Sequence, residues 1–507
     1  MTKVSDLAGD LRAMSDVTRM SGADAGFLYM ETPTMHMHTL KIAILEPSPG
    51  LTFESLTRAM FYRLRRMPAL RRRVVPVPWA LNHPVLVTQR RLDPERHFFK
   101  HDIGGTGSMR DFERTIGEIA STPLQRDVPL WEIHMCEGFA DGSVGIVGKI
   151  HHALADGLAA NAMLANIMDV TSADLRPEFV SDAGLGGIIP SPKALVGSAV
   201  RDAISQARII PGLIRRTYSA IRKMLHYRKH EAEGVPTPIR DTPRVSFNGP
   251  LTARRSFATV TLPLADLKAV RTHHADVEGV TLNDVALAVT SGALRRWLDA
   301  HDEHPSASLV AGVPIGMDAA GGEHPRLFGN NVSNMFTTLA TDTDDPVERL
   351  RRISVTARHA KVINQHLGAS VAEWTQFTPP GAVRALIRSY SRHGGARFHA
   401  APFSAIVSNV PGPRERMKIG GAYLADLFSV GPLVEGIGLN VTVWSYVDRM
   451  NFSLLACPDL LPDVDVLASY FPAALAELLP QAEQNIAGQD VPEKQVNVSD
   501  GSDEESA

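Results

Sequence analysis

His151-His152-Ala153-Leu154-Ala155-Asp156-Gly157 sets two imidazoles and one carboxylate within seven residues, in the form HHxxxDG. An imidazole takes up a proton near neutral pH, and a nearby carboxylate can fix its orientation. The segment is therefore a candidate general-base site. It holds no nucleophilic Ser or Cys. The chemistry it suggests is base-assisted transfer to an incoming alcohol or amine, without a covalent enzyme intermediate. An alcohol is a poor nucleophile until its proton is being removed, and a positioned histidine contributes about 10²–10⁴-fold to such a rate. One imidazole suffices. The other histidine and Asp156 would hold the loop and the tautomer, and Gly157 would let the backbone turn sharply where strand gives way to helix.

Plainer readings compete at this point. An Asp before a helix is a common N-cap, Gly beside it is a common turn residue, and His-His can be an ordinary strand end. A metal site is disfavoured, because adjacent histidines point different ways and no third ligand lies at a characteristic spacing. No metal is assigned. His36-Met37-His38 reads as strand alternation.

The chain that must position this segment has 507 residues, too many for one ordinary core, so two domains are expected. It is 44% hydrophobic and 21% charged, as soluble globular proteins are. A net charge of −3 lacks basic character, so no nucleic-acid partner is expected. Two cysteines, Cys136 and Cys457, exclude a disulfide framework and fit a reducing, cytoplasmic compartment. Both read as core fillers. Met1 to Met20 carries no apolar signal-peptide core, and no stretch approaches the roughly 20 apolar residues of a membrane span.

Hydrophobic patterning gives an α/β (α+β) class. Residues 1–170 form the first unit, with strands expected at His38–Leu45, Glu132–Cys136 and Ser143–Ile150. Helices are expected at Phe53–Met67, Met109–Ser121 and Leu158–Val170. Residues 171–241 read as an interdomain connection. They hold Gly and Pro clusters and a basic amphipathic stretch from Arg201 to Lys229. Residues 242–487 start a second alternating series. Its strands are expected at Phe257–Leu262, Leu309–Ile315, Val332–Leu339, Ser404–Ser408, Leu439–Trp444 and Phe452–Ala456. A helix is expected at Thr281–Trp297, and another closes the unit at Val464–Leu479. Residues 488–507 are polar and acidic, a composition that predicts disorder.

Several landmarks occur in one order along the chain. They are Met20-Ser21-Gly22-Ala23-Asp24-Ala25-Gly26-Phe27, Pro129-Leu130-Trp131, HHxxxDG, Asn283-Asp284 and Ser408-Asn409-Val410-Pro411-Gly412-Pro413. Together they resemble the bacterial wax ester synthase/diacylglycerol acyltransferase family. That family belongs to the CoA-dependent acyltransferases, with chloramphenicol acetyltransferase and peptide-synthetase condensation domains. The resemblance covers nearly the whole chain except the acidic tail. It implies two chloramphenicol-acetyltransferase-like domains meeting at a central substrate tunnel.

By the resemblance, His152 is the general base, deprotonating the acceptor hydroxyl that attacks the thioester carbonyl of acyl-CoA. His151 is supporting. Asp156 becomes a structural anchor in a salt bridge, and Arg71 is the expected partner, from a loose likeness of Arg66–Arg71 to a condensation-domain segment. The competing reading of Arg71 is a solvated basic face. Asn283-Asp284 is implied to lie near the active site. Locally, Thr281 and Asp284 also read as a capping box. Pro129, Leu130 and Trp131 would shape a channel or simply pack.

The implied substrates are long-chain acyl-CoA with diacylglycerol or a fatty alcohol, with no permanently bound cofactor. Such substrates favour contact with the inner membrane face or lipid droplets. The Arg201–Lys229 stretch could supply it, or could pack on the protein as a domain-spanning helix. Two other functions stay in play: a carrier-protein-dependent condensation-type acyltransferase, and an inactive lipid-binding scaffold.

Overall fold

A computed structural model describes residues 17–65, 67–157, 159, 187–232, 234–275, 277, 279–317, 326 and 328–480. The expected helix at 158–170, the first part of the connection, the opening residues 1–16 and the acidic tail lie outside the described residues. The first half runs β1 (Val17–Arg19), α1 (Gly22–Met30), β2 (His38–Leu45), α2 (Phe53–Arg65), β3 (Arg72–Val75), β4 (Val85–Thr88), β5 (Phe98–Asp102), α3 (Met109–Ala120), β6 (Trp131–Glu137) and β7 (Val144–His151). Then come α4 (Pro192–Ala207) and α5 (Ile210–His230). The second half runs β8 (Ser256–Pro263), α6 (Leu264–His273), α7 (Leu282–Ala300), β9 (Val310–Gly316), β10 (Val332–Thr338), α8 (Pro346–Thr375) and α9 (Pro380–Arg392). It ends with β11 (Ala405–Val410), β12 (Lys418–Ile419), β13 (Ala422–Val430), β14 (Leu439–Tyr446), β15 (Arg449–Ala456), α10 (Val464–Ser469) and α11 (Phe471–Ala476).

Two mixed six-stranded sheets carry the molecule. The first has the order β12-β13-β2-β7-β6-β5 and the second β10-β9-β11-β14-β15-β8. β2 lies inside the first sheet and is covered on both faces, which is why His38–Leu45 is buried at nearly every position. β13 pairs antiparallel with β2. A strand from residue 422 onward thus completes a sheet begun at residue 38. The expected boundary at residue 241 is therefore crossed in space: part of the second half belongs to the first sheet. The core follows the same plan. One apolar cluster lies on the second sheet and another on the first. A third, with Phe112, Ile116 and Val147 against Phe257 and Leu455, joins the two halves.

α3 makes that junction close. Ser108 and Asp111 form a capping box at its start. Gly117 sits where a Cβ would come within 2.8 Å of the Arg255 carbonyl oxygen, so only glycine lets the helix approach β8. The closing helix expected at Val464–Leu479 is two short helices, broken at Tyr470. Pro472 lies in the first turn of the second, where its missing N–H costs nothing. Within the connection, whose composition predicts helices of its own, lie α4 and α5, and α5 packs along α8.

Candidate active site

β7 ends at His151, in register with His38 of β2. The chain then leaves the sheet, tied by the His152 N–H to the Met37 carbonyl at 2.7 Å. Three residues on, Ala155 forms a parallel bridge with Gly329. The Gly329 N–H donates to the Leu154 carbonyl at 2.5 Å, and the Asp156 N–H to the Gly329 carbonyl at 3.2 Å. Gly329 has φ +81°, a backbone that side chains with a Cβ rarely adopt. This bridge brings a turn of the second half against HHxxxDG.

The turn delivers Asn330. Its Nδ2 donates to the His152 carbonyl at 2.7 Å and to Asp24 Oδ1 at 2.8 Å. Both partners only accept, so the amide orientation is fixed. Asn330 Oδ1 then faces His152 Nδ1 at 2.9 Å. An amide oxygen cannot donate, so Nδ1 carries the proton and Nε2 is left as the basic nitrogen. Asp24 is itself held by the Ser21 hydroxyl at 2.6 Å and the Asn330 N–H at 2.7 Å. Phe27, on the same helix α1, stacks on the His152 ring with centroids 4.1 Å apart. Burial pulls the His152 pKa down to about 4, against the opposing pull of the Asn330 hydrogen bond. The imidazole is therefore neutral, and able to accept a proton, throughout the physiological range.

His151 is turned elsewhere. Its Nδ1 accepts the Ala153 N–H at 3.0 Å, and its Nε2 lies 3.5 Å from Glu31 Oε2, which also pairs with Arg126. Burial holds its pKa well below the ordinary histidine value. His151 is thus held against the loop backbone and Glu31. His36, just before β2, and His38, its first residue, both bond the Ala120 carbonyl, so strand alternation covers His38 alone. Among the described residues no group of three or more His, Cys, Asp or Glu is placed to hold a metal ion.

Asp156 is 1% exposed and anchors the loop. Its Oδ2 accepts from Arg326 Nη2 at 2.5 Å and from the Asn331 N–H at 2.9 Å, while Oδ1 caps the Ala159 N–H at 3.0 Å. The expected partner, Arg71, is a correction. Arg71 is buried and donates to the carbonyls of Gln89 and Arg90, at 3.2 and 2.6 Å. The β3–β4 hairpin claims that guanidinium, whereas Arg326 sits on the turn already bridged to Ala155. Gly157 has no left-handed φ, so the expected sharp turn is not its reason. A Cβ there would meet Val410 Cγ2 at 3.2 Å, so glycine gives room against β11.

Three cavities meet here. One of about 170 Å³ is lined by His152, Asp156 and Phe27. It shares Gly157, Ser408 and Val410 with a second of about 480 Å³, whose wall also holds Asn283, Asp284, Arg358 and Lys361. It shares Val332 and Asn334 with a third of about 460 Å³, lined by Met224, Ile363 and Leu367 among others. Asn283 and Asp284 therefore face a cavity that reaches the histidine segment. Asp284 also forms the capping box with Thr281 at the start of α7. Trp131 is core: its Nε1–H donates to the Leu70 carbonyl at 2.7 Å and its ring stacks on His97. Leu130 supports the site from below, its carbonyl accepting the His151 N–H.

The residues missing from the sequence reading are Asp24, Phe27, Arg326 and Asn330. The first two lie in the opening landmark, where Ser21 and Asp24 have capping spacing. Arg326 and Asn330 sit on an aperiodic turn, and only the Gly329-Asn330 dipeptide hints at one.

The two sheets thus enclose a buried, oriented histidine at a cavity wall. Comparison with known proteins supplies the family. The wax ester synthase/diacylglycerol acyltransferase catalytic domain matches residues 20–286, and the C-terminal domain of the same family matches residues 328–479. The chain belongs to this family and is an enzyme of it. A Mycobacterium tuberculosis H37Rv protein named as a diacylglycerol O-acyltransferase is 37% identical over 442 residues, covering 86% of this chain and 90% of its own. A second protein of that strain, named likewise, is 33% identical over 473 residues, covering 91% of this chain and 90% of its own. The solved wax ester synthase/diacylglycerol acyltransferase of Marinobacter aquaeolei VT8 shares the fold, with TM-score 0.62 and 23% identity over 91% of this chain and 98% of that one. The first condensation domain of the calcium-dependent antibiotic synthetase is similar in fold, with TM-score 0.55 at 14% identity, covering 92% and 97%.

Proposed function

We propose that the enzyme transfers an acyl group from long-chain acyl-CoA to the hydroxyl of diacylglycerol or a fatty alcohol, with His152 as general base. His152 Nε2 takes the acceptor proton as the oxygen attacks the thioester carbonyl. The tetrahedral adduct then expels the CoA thiolate, which takes the proton back as the ester forms. The carrying observation is the Asp24–Asn330–His152 chain of hydrogen bonds, which leaves Nε2 as the acceptor nitrogen at a cavity wall.

The two sheets fit a pair of chloramphenicol-acetyltransferase-like units with a tunnel between them. Arg358 and Lys361, beside the N-terminus of α7, suit the phosphates of CoA in the 480 Å³ cavity. The wall of the 460 Å³ cavity is mostly apolar, with Met224 of α5, Ile363, Leu367 and Val371, which suits a lipid acceptor. Purified protein incubated with labelled palmitoyl-CoA and diacylglycerol, fatty alcohol or no acceptor is expected to yield triacylglycerol or wax ester. Absence of both esters, with turnover from an acylated carrier protein instead, would replace this reading by the condensation-type one.

Asn330 acts through His152. Asn330→Ala is expected to lower kcat by about 10–10²-fold with KM little changed, as the loss of an orienting partner does. The acid limb of its pH profile should also move lower, because this hydrogen bond favours the imidazolium. A merely structural role would leave that limb in place.

No helix among the described residues is long and apolar enough to cross a membrane. α5 nonetheless has two faces. Leu213 is buried toward α8, while Ile214, Tyr218, Ile221 and Leu225 are exposed at helical spacing, flanked by Arg215, Arg222, Lys223 and Lys229. The reading of α5 as a helix packed on the protein and the reading as a lipid-facing helix therefore apply to opposite faces. We infer peripheral contact with an anionic surface, the inner membrane face or a lipid droplet, from a cytoplasmic enzyme. Each cation near such a surface contributes roughly 1 kcal/mol, so changing these four to Gln should weaken partition onto anionic vesicles by roughly two to three orders of magnitude. Unchanged binding in a flotation assay would reject the contact.

A further inference from the structure

Lys41 lines the cavity that holds His152 and, among the described residues, has no counter-ion within pairing distance. It stands on β2 in register with Gly148 of β7 and Ser429 of β13, and it is 5% exposed. Its Nζ donates to Ser429 Oγ at 2.6 Å and lies 4.4 Å from the centroid of the Trp444 ring. Among the described residues no carboxylate forms an ion pair with it. Asp156 attracts it through space but is committed to Arg326. Lys149, a second buried lysine of the same sheet, shows the ordinary solution: it pairs with Glu132 at 3.1 Å and bonds Thr122. A lysine that only packs would be expected to have such a partner, since an unpaired buried ammonium is costly. Burial accordingly pulls the Lys41 pKa down to about 7.

The surroundings of Lys41 supply room and polarity. Gly148 opposite it has no side chain, and a Cβ there would stand 3.9 Å from Lys41 Cβ. Lys41 lines the same cavity of about 170 Å³ as His152, and Thr39, Ser429, Asn440 and Thr442 contribute polar groups to that wall. The remaining wall is largely apolar, with Met30, Met37 and Phe403. A plain hydrocarbon chain would leave the ammonium protons facing methylenes. An oxygen on the chain would accept them.

We propose that Lys41 forms a subsite for an oxygen substituent, a hydroxyl, keto or carboxylate group, carried within the chain of the acyl donor or of the acceptor. The inference rests on the acyl-transfer reading and makes Lys41 a specificity-determining residue. A site built to hydrogen-bond a substrate oxygen discriminates strongly against the analogue lacking it.

Binding to the full-length enzyme tests this without turnover. Two pairs of probes serve: non-transferable acyl-CoA thioethers with and without a mid-chain hydroxyl, and a long-chain diol against the plain alcohol. The wild type is expected to bind the oxygenated member of at least one pair more than about tenfold tighter, and the pair that responds identifies the source of the oxygen. Lys41→Met should abolish that ratio. Equal binding of both members by the wild type, or a ratio that survives Lys41→Met, overturns the subsite. If Lys41→Met does not fold, Lys41→Gln replaces it and should keep a reduced ratio; an undiminished ratio counts against the proposal. A preference in binding without any ester formation would overturn the acyl-transfer reading and leave the subsite standing. Equal binding with normal ester formation would do the reverse.

Discussion

His152→Ala is expected to lose ester formation by about 10²–10⁴-fold in kcat, the usual contribution of a positioned general base. The protein should remain folded. The substitution removes a ring stacked on Phe27 and leaves the Asn330 amide oxygen without its donor. That costs about 1–3 kcal/mol, a small part of the stability of a chain with two large cores. Circular dichroism and a thermal melt check the fold, and product formation from labelled acyl-CoA checks the chemistry. The wild-type pH profile gives a second reading. Protonated imidazole cannot accept the acceptor proton, so kcat/KM should fall as pH drops through the His152 pKa, at about 4. Above that the rate should stay flat through neutrality. A limb near the ordinary histidine value, or near-wild-type turnover by His152→Ala, would remove His152 from the role of base.

The parts of this site legible in the sequence are those decided over a few residues. The alternating run before His151 is β7, ending at that residue. Thr281 and Asp284 cap α7. Both follow from local hydrogen bonding and from the period of side chains along one element. What sequence could not reveal is set by tertiary pairing. Asn330 lies 178 residues from His152, and Arg326 lies 170 from Asp156. No periodicity marks them, because a turn held by one β-bridge needs no regular pattern. The expectation for Arg71 rests on a loose likeness of residues 66–71 to a condensation-domain segment, and a likeness over six residues carries no information on tertiary pairing: the guanidinium donates to the Gln89 and Arg90 carbonyls. β13 is the same lesson on the scale of a strand. Its apolar run suits any sheet, and only the packing of β2 decides that it completes the first one.

Asp156→Ala should affect stability and activity together, and the pairing of the two effects is the test. The carboxylate is almost fully buried and accepts from one guanidinium and two backbone N–H groups. Breaking a buried ion pair costs about 3–5 kcal/mol. The Arg326 side chain keeps 26% exposure, so water recovers part of that, and about 2–4 kcal/mol is expected here. Arg326 Nη1 also donates to the Phe328 carbonyl at 3.0 Å and to that of Gly329, so the same guanidinium holds the turn that presents Asn330. Releasing it should let Asn330 drift and His152 lose its fixed tautomer, lowering kcat by roughly 10–10²-fold, as loss of an orienting partner does. Arg326→Gln should be milder on stability, because Asp156 retains its two backbone donors. The double variant should then cost less than the sum of the singles. A fall in kcat with an unshifted melting transition would instead give Asp156 a direct chemical role. Unchanged stability and unchanged turnover would mean that the bridge between residues 154–156 and 329–331 stands without this carboxylate.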